Sequence, residues 1–309
     1  MKCGFVSLVG RPNVGKSTLL NSVLGMKLAI TSNVSGTTRN VIQGIYNDEN
    51  SQIVFVDTPG IHKPTHKLGS LMNKKAYNNT EGVDVVLFLI DISKGFGKGD
   101  QFILDRIKDK GVPIFLLLNK VDQIKNKENL LSEINKLKEL YDFAEIIPIS
   151  AMKHDNVDVL VNCIKKYLDD SEAIFSEDDL TNVSTRFIMA EFLREKILEL
   201  THDEIPHTVT CYVENYEEDD EVVHIQILVV VDRDNIKKII IGKGGSMLKE
   251  IGTRARHDME KFLGKKVFLE TYVKTLKNWR DQEKYFLELG LKDEDELKLN
   301  KFKIESPLF

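Results

Sequence analysis

The sequence predicts a doubly wound α/β domain with a mostly parallel sheet, followed by a smaller α+β domain. Three observations carry this expectation. Over the first half, short continuous apolar runs alternate with longer amphipathic stretches, the signature of strands joined by crossover helices. Near residue 170 that alternation gives way to an acidic, weakly periodic stretch. Beyond it the order becomes helix, strand, strand, helix, helix, strand, which cannot extend the first sheet.

The expected elements run as follows. Cys3–Val9, Ile53–Val56, Val85–Ile90, Ile114–Leu118 and Ile146–Ile149 read as buried strands. Their apolar residues are continuous rather than alternating, as expected where helices cover both sheet faces. Lys16–Leu24, Gln101–Lys108, Lys127–Tyr141 and Val157–Leu168 read as the helices between them. Asp169–Asn182, with six carboxylates, reads as a linker. The second domain is expected to hold a helix over Arg186–Leu200, strands over His207–Tyr216 and Val222–Val231 about the acidic turn Glu217–Glu221, and a helix leading into Ile239–Gly245. A helix over Ser246–Leu263, a strand over Lys265–Tyr272 and a terminal helix over Trp279–Leu289 follow. The expected boundaries are 1–169, a linker at 170–184, and 185–309 with a core at about 186–280.

The 309-residue length suits two domains. With 42% apolar and 29% charged residues the composition is globular, and a net charge of −5 excludes a uniformly basic nucleic-acid coat. The three cysteines, Cys3, Cys163 and Cys211, form no CxxC pair, which argues against a disulfide framework or zinc site. Met1–Val9 is too short for a signal peptide, and no apolar run approaches the roughly 20 residues of a membrane span. A soluble protein of a reducing compartment is expected.

Gly10-Arg11-Pro12-Asn13-Val14-Gly15-Lys16-Ser17 fits G-x-x-x-x-G-K-[ST] between an expected strand and an expected helix, with Thr18 next. In that context the backbone N–H groups and the helix N-terminus cradle phosphates. Lys16 reaches the terminal phosphates, and Ser17 can ligate Mg²⁺. Asn119-Lys120-Val121-Asp122 follows the strand at Ile114–Leu118. The Asp122 carboxylate can accept from guanine N1–H and N2–H₂, which adenine does not offer, so the motif selects guanine. The Lys120 stem can lie over the ring, and the Ser150-Ala151 backbone, with Met152 beyond, can hold O6. Asp57-Thr58-Pro59-Gly60 ends another strand, with Asp57 suited to Mg²⁺ and the Gly60 amide to the γ-phosphate. Thr37 or Thr38 can complete the Mg²⁺ shell.

In the second half, Ile241-Gly242-Lys243-Gly244-Gly245 contains G-x-x-G between two expected helices, a loop type that clamps single-stranded RNA. Lys249 lies one turn into the second helix. From Arg233 to Arg280 thirteen basic residues face five acidic ones, a balance of +8 inside an acidic chain. That is the footprint of a nucleic-acid surface.

These motifs, with Gly36-Thr37-Thr38-Arg39, resemble the translation-factor-related P-loop GTPases, and within them the Era family, over residues 4–168. The second domain resembles a type II KH domain, the partner of the GTPase domain in that family. The related double-GTPase Der family carries two phosphate loops, whereas this chain has one. The resemblance implies GTP/GDP and Mg²⁺ as ligands and GTP hydrolysis as the activity. It also implies binding near the 3′ end of 16S ribosomal RNA and a role in 30S maturation. A cytoplasmic monomer with a fraction loosely held at the inner face of the membrane is implied as well. Ile61 occupies the place where many GTPases carry a water-orienting glutamine, and the family shares a hydrophobic residue there. Hydrolysis is then expected to rely on a backbone group, a switch-loop contact involving Thr38 or Gly60, or K⁺ beside Asn13, as in K⁺-activated relatives with asparagine at that place.

Overall fold

The structure, a computed structural model, describes residues 1–32, 37–61, 66–125, 127–201, 205–289 and 291. Gly36 of the Gly36–Arg39 motif and the extension beyond residue 291 lie outside the described residues. The chain divides into two compact units, Met1–Lys63 with Leu71–Ser184, and Pro64–Ser70 with the residues from Thr185 onward.

The first unit is built on β1 (Lys2–Gly10), β2 (Ile42–Asp48), β3 (Ser51–Asp57), β4 (Val85–Asp91), β5 (Ile114–Asn119), β6 (Glu145–Ile149) and the short β7 (Asp169–Asp170). The sheet runs β2-β3-β1-β4-β5-β6, with β7 pairing antiparallel to β1. All neighbours on the main path are parallel except β2, which pairs antiparallel with β3. Its helices are α1 (Lys16–Leu24), α2 (Lys67–Asn78, whose first turn groups with the second unit), α3 (Lys98–Ile107), α4 (Lys127–Lys138) and α5 (Val157–Lys165). Val6, Leu8, Phe55, Leu87, Phe88, Phe115 and Leu117 are fully buried, in keeping with strands that are apolar on both faces. Burying each such side chain contributes about 1.5–3 kcal/mol.

All five expected strands and four expected helices of this half are present, with ends shifted by a few residues. Three elements, β2, α2 and the short β7, are additional. Ile42-Gln43-Gly44-Ile45-Tyr46-Asn47-Asp48 lacks a continuous apolar run because β2 lies at the sheet edge. Its turn into β3 is fixed by Asp48, whose Oδ1 accepts from Asn50 N at 3.0 Å and Ser51 Oγ at 2.8 Å.

The acidic stretch 170–184 lies along the first unit. The buried Gln52 side chain accepts from the backbone N–H groups of Ile174 (2.7 Å) and Phe175 (2.9 Å) and donates to the Phe175 carbonyl at 3.0 Å. Thr181 bridges antiparallel to Gly44, and Ile45 N donates to Leu180 O at 3.0 Å. The segment thereby satisfies part of the open edge of β2.

The second unit holds α6 (Thr185–Leu200), the single-turn α7 (Ile205–Thr208), β8 (Val209–Glu218), β9 (Val222–Val231), α8 (Asp234–Ile241), α9 (Ser246–Leu263), β10 (Lys266–Thr275) and α10 (Glu283–Glu288). Its sheet order is β10-β9-β8, with β10 parallel and β8 antiparallel to β9. The expected terminal helix is a 3₁₀ turn at Trp279–Asp281 followed by α10. Trp279 has no exposed surface, and its Nε1–H donates to the Thr208 carbonyl at 2.9 Å.

Trp279→Ala is expected to lower the stability of the second unit by about 3–5 kcal/mol, through lost burial and the unpaired Thr208 carbonyl. A urea titration followed by far-UV circular dichroism reads the loss as an earlier transition. An unchanged profile would contradict the packing role.

Candidate functional site

Parallel pairing brings the carboxyl ends of the central strands to one edge of the sheet. In register, Leu8 faces Asp57, Gly10 faces Leu89, Asp91 faces Asn119, and Asn119 faces Ile149. The loops that follow these ends carry nearly every polar residue singled out in the first half, and open α/β sheets bind ligands at such an edge.

The phosphate loop joins β1 to α1. Asn13 takes a left-handed conformation (φ 64°), and Gly15 (φ 102°) sits where a Cβ would collide with the Asn119 amide. Lys16 is buried, its ammonium donating to the carbonyls of Gly10 and Arg11, each at 3.1 Å. Burial lowers its pKa to about 8, although the Asp57 charge works the other way. Asp57 has no exposed surface, and burial pushes its carboxyl up to about 6 against the opposing pull of Lys16, Ser17 and Thr38. Its Oδ2 accepts from Ser17 Oγ at 2.6 Å, and Ser17 Oγ lies 2.9 Å from Thr38 Oγ1. The Thr38 hydroxyl is thereby placed in this cluster. Among the described residues, Asp57 Oδ1 is buried without a hydrogen-bond partner. Two hydroxyls and an orphaned carboxylate oxygen form the hard oxygen set that Mg²⁺ prefers, so these residues fit that ion.

The base-side motif grips the same loop. Asn119 Nδ2 donates to Val14 O at 2.8 Å, while its Oδ1 accepts from Ala151 N at 3.0 Å. Lys120 Nζ donates to Asn13 O at 2.8 Å and to Asp91 Oδ2 at 2.7 Å. Ser150 Oγ donates to Asp122 Oδ1 at 2.5 Å, which fixes the carboxylate in an exposed position, and Met152 is exposed beside it.

Several expected residues direct their side chains to β1, α3 or the core. Thr58 is buried, and its hydroxyl donates to Leu8 O at 2.7 Å. The Arg11 guanidinium pairs with the fully buried Asp100 carboxylate at 3.0 Å, beside the N-terminus of α3. Pro12 packs against Gly60 closely enough that a Cβ on Gly60 would lie 2.8 Å from the Pro12 backbone. The Ile61 side chain joins the hydrophobic core with Val9, Phe88 and Leu118, and its N–H points to Gly10 O at 3.4 Å. Thr18 lies half-buried in the first turn of α1. Asp91 and Asp100 were not singled out from the sequence. Each is an isolated carboxylate whose partner is set by strand register or loop packing rather than by spacing.

In the second unit, Gly242 (φ 74°), Gly244 (φ 61°) and Gly245 (φ 82°) turn the chain from α8 into α9. A Cβ at Gly242 would lie 2.7 Å from that of Met247, so the tight turn requires glycine there. Ile241 is half-buried, and Lys243 and Lys249 are exposed. The turn opens onto a groove of about 350 Å³ lined by Gly245, Leu248, Lys249, Gly252, Arg256 and Thr271. The spacing of 248, 249, 252 and 256 along one face of α9, with Gly245 just before it, could have shown the groove wall in the sequence. Among the described residues no group of His, Cys, Asp and Glu side chains is arranged to hold a metal ion, and no helix is long and apolar enough to cross a membrane.

Residues 5–120 match the family described as 50S ribosome-binding GTPase, and residues 204–280 match the KH domain family. An Aquifex aeolicus Era variant bound to GDP and AlF4⁻ superimposes with a TM-score of 0.92 at 41% identity, over 95% of this chain and 100% of that one. An Era structure in complex with MgGDPNP and nucleotides 1506–1542 of 16S ribosomal RNA gives the same TM-score, identity and coverage. Likeness of that degree across both units, carried on the motifs whose geometry is given above, means that the chain belongs to the Era family.

Proposed function

We propose that this chain binds GTP, hydrolyses it to GDP and phosphate, and binds the 3′ region of 16S ribosomal RNA as a factor in assembly of the 30S subunit. The observation that carries the reading is the grip of Asn119 and Lys120 on the phosphate loop. It makes the guanine-reading motif and the phosphate cradle one site, in a chain 41% identical to Era bound to MgGDPNP and RNA.

In this reading the Gly10–Thr18 backbone and the N-terminus of α1 cradle the phosphates. Lys16 turns its ammonium from the Gly10 and Arg11 carbonyls to the phosphate oxygens. Ser17, Thr38 and Asp57 hold Mg²⁺, which when bound neutralises charge on the β- and γ-phosphates. Asp122 reads the guanine edge, with Ser150, Ala151 and Met152 flanking O6, and Thr58 and Pro59 frame the strand end that presents Asp57. The Gly60 amide faces the γ-phosphate. With Ile61 turned into the core, water would be oriented by a backbone group, by a switch-loop contact involving Thr38 or Gly60, or by K⁺ held beside Asn13.

The groove from Ile241–Gly245 to Arg256 takes single-stranded RNA, with Lys243 and Lys249 at the phosphates. The chain works as a cytoplasmic monomer with a peripheral fraction at the inner face of the membrane. The absence of a membrane-crossing helix among the described residues is compatible with that placement.

Asp122→Asn is expected to move preference from GTP toward xanthosine triphosphate, because xanthine carries a carbonyl where guanine carries its N2 amine. Competition of the two nucleotides on the variant tests this, and retained GTP preference would count against the guanine assignment.

Affinity for GDP with Mg²⁺ is expected to peak between about pH 6 and 8. Below about 6 Asp57 takes up a proton and ceases to be a metal ligand; above about 8 Lys16 loses the charge that faces phosphate. Each limb falls by about tenfold per pH unit. Calorimetry across this range should show the acid limb flatten in Asp57→Asn, whereas an acid limb unchanged in the variant would assign it to the nucleotide itself.

Replacing Lys243 and Gly244 by Asp is expected to abolish binding to a 16S 3′-end RNA while sparing GTP hydrolysis. The change sets two carboxylates against the phosphate backbone, and aspartate tolerates the left-handed backbone at Gly244. A gel-shift titration measures the effect. Unchanged affinity would leave the loop as a plain helix connection.

A further inference from the structure

We propose that Asp91 is a positioning residue for guanine-nucleotide binding, its carboxylate holding the Lys120 ammonium on the backbone carbonyl of Asn13 so that the base-reading loop stays clamped to the phosphate loop. The inference rests on the nucleotide-binding reading above and assigns a role to a residue outside the nucleotide motifs.

Asp91 ends β4, and the β4–β5 register sets it beside Asn119, one residue before Lys120. Its side chain is 3% exposed. One carboxylate oxygen, Oδ1, is fixed by Ser93, whose hydroxyl donates at 2.5 Å and whose N–H donates at 3.2 Å. The other, Oδ2, is 2.7 Å from Lys120 Nζ, and that same ammonium is 2.8 Å from Asn13 O. Burial alone would raise the Asp91 pKa, yet hydrogen bonds from Lys120 and Ser93 hold it below the usual carboxylate range, so the group is a carboxylate at neutral pH. A second cation, Lys94, stands 3.7 Å away with an exposed side chain and is a poor substitute.

The consequence is geometric. Asn13 and Val14 form the outer arch of the phosphate loop, and their carbonyls are held by Lys120 and Asn119 respectively. Asn119 has a second anchor in Ala151 N; Lys120 has its second anchor in Asp91. Without the carboxylate, the ammonium keeps a single neutral acceptor and the lysine stem loses its fixed course over the base site. Charge-assisted hydrogen bonds are about twice as strong as neutral ones, so the isosteric Asp91→Asn loosens the clamp without changing its shape. The loss should then fall on nucleotide affinity rather than on the chemical step.

The test is GDP calorimetry and GTP turnover on the full-length native chain, Asp91→Asn, Lys120→Met and the double variant. Each single variant is expected to bind GDP about 10- to 100-fold more weakly, with the double variant no weaker than the worse single, because both break one linkage. In turnover the loss should appear in KM, with kcat within about twofold. Asp91→Asn binding GDP within twofold of the native chain, multiplicative losses in the double variant, or a defect confined to kcat would each overturn the proposal. If Asp91→Asn fails to fold by circular dichroism, Lys120→Met alone decides, and a loss below twofold overturns it. A native chain that does not bind GDP would instead overturn the nucleotide reading itself.

Discussion

Two side chains at the end of β5 tie the site of the first unit together. Asn119 and Lys120 donate to the Val14 and Asn13 carbonyls, so the loop carrying Asn119–Asp122 is hydrogen-bonded to the Gly10–Ser17 loop. The absence of a Cβ at Gly15 is what lets the Asn119 amide come that close. Asn119 also accepts from Ala151, which draws in the loop after β6. Three loops from three strands thereby become one surface. Adjacent parallel strands ending at the same edge supply the geometry, and a few buried hydrogen bonds supply the rigidity.

A second consequence is electrostatic. Lys16 and Asp57 are buried on the same edge, and burial moves both toward neutrality, Lys16 down to about 8 and Asp57 up to about 6. Ser17 and Thr38 partly compensate the carboxylate, but Asp57 Oδ1 has no partner among the described residues. A buried acceptor in that condition is costly to keep unless something meets it. A divalent cation and a polyphosphate would satisfy the carboxylate and the ammonium together, which makes the site a place where ligand binding relieves a strain that folding creates. The second unit uses a different device. Its glycine turn opens onto a shallow groove bordered by Lys249 and Arg256, a shape and charge suited to the flexible polyanion proposed for it.

Much of this was legible in the sequence because both sites rest on spaced motifs. Gly10–Ser17, Asp57–Gly60, Asn119–Asp122 and Gly242–Gly245 each set their own backbone geometry locally, so their residues could be named without tertiary information. The central strands were legible for a related reason, since continuous apolar runs mark strands covered on both faces. What escaped depends on long-range pairing. Edge strand β2 mixes polar and apolar residues because one side of it meets the 170–184 segment, and that segment reads as a linker because the Gln52 side chain that anchors it is more than a hundred residues away. Asp91 and Asp100 look like ordinary strand-end and helix-start carboxylates until register and packing bring them to Lys120 and Arg11. Ile61 was visible as a departure, and its side chain is buried in the core with Val9 and Phe88.

As proposed, the Asn119–Asp122 loop and the phosphate loop form one guanine-selective site. Its most direct measurement is a side-by-side titration of the native chain with GDP and ADP in the presence of Mg²⁺. A site built to hydrogen-bond a particular base edge rejects a base that lacks it by about 10⁴-fold or more, so ADP binding should be weaker than GDP binding by that order. Affinities for the two nucleotides within about tenfold of each other would mean that Asp122 does not read the base, and would contradict the account.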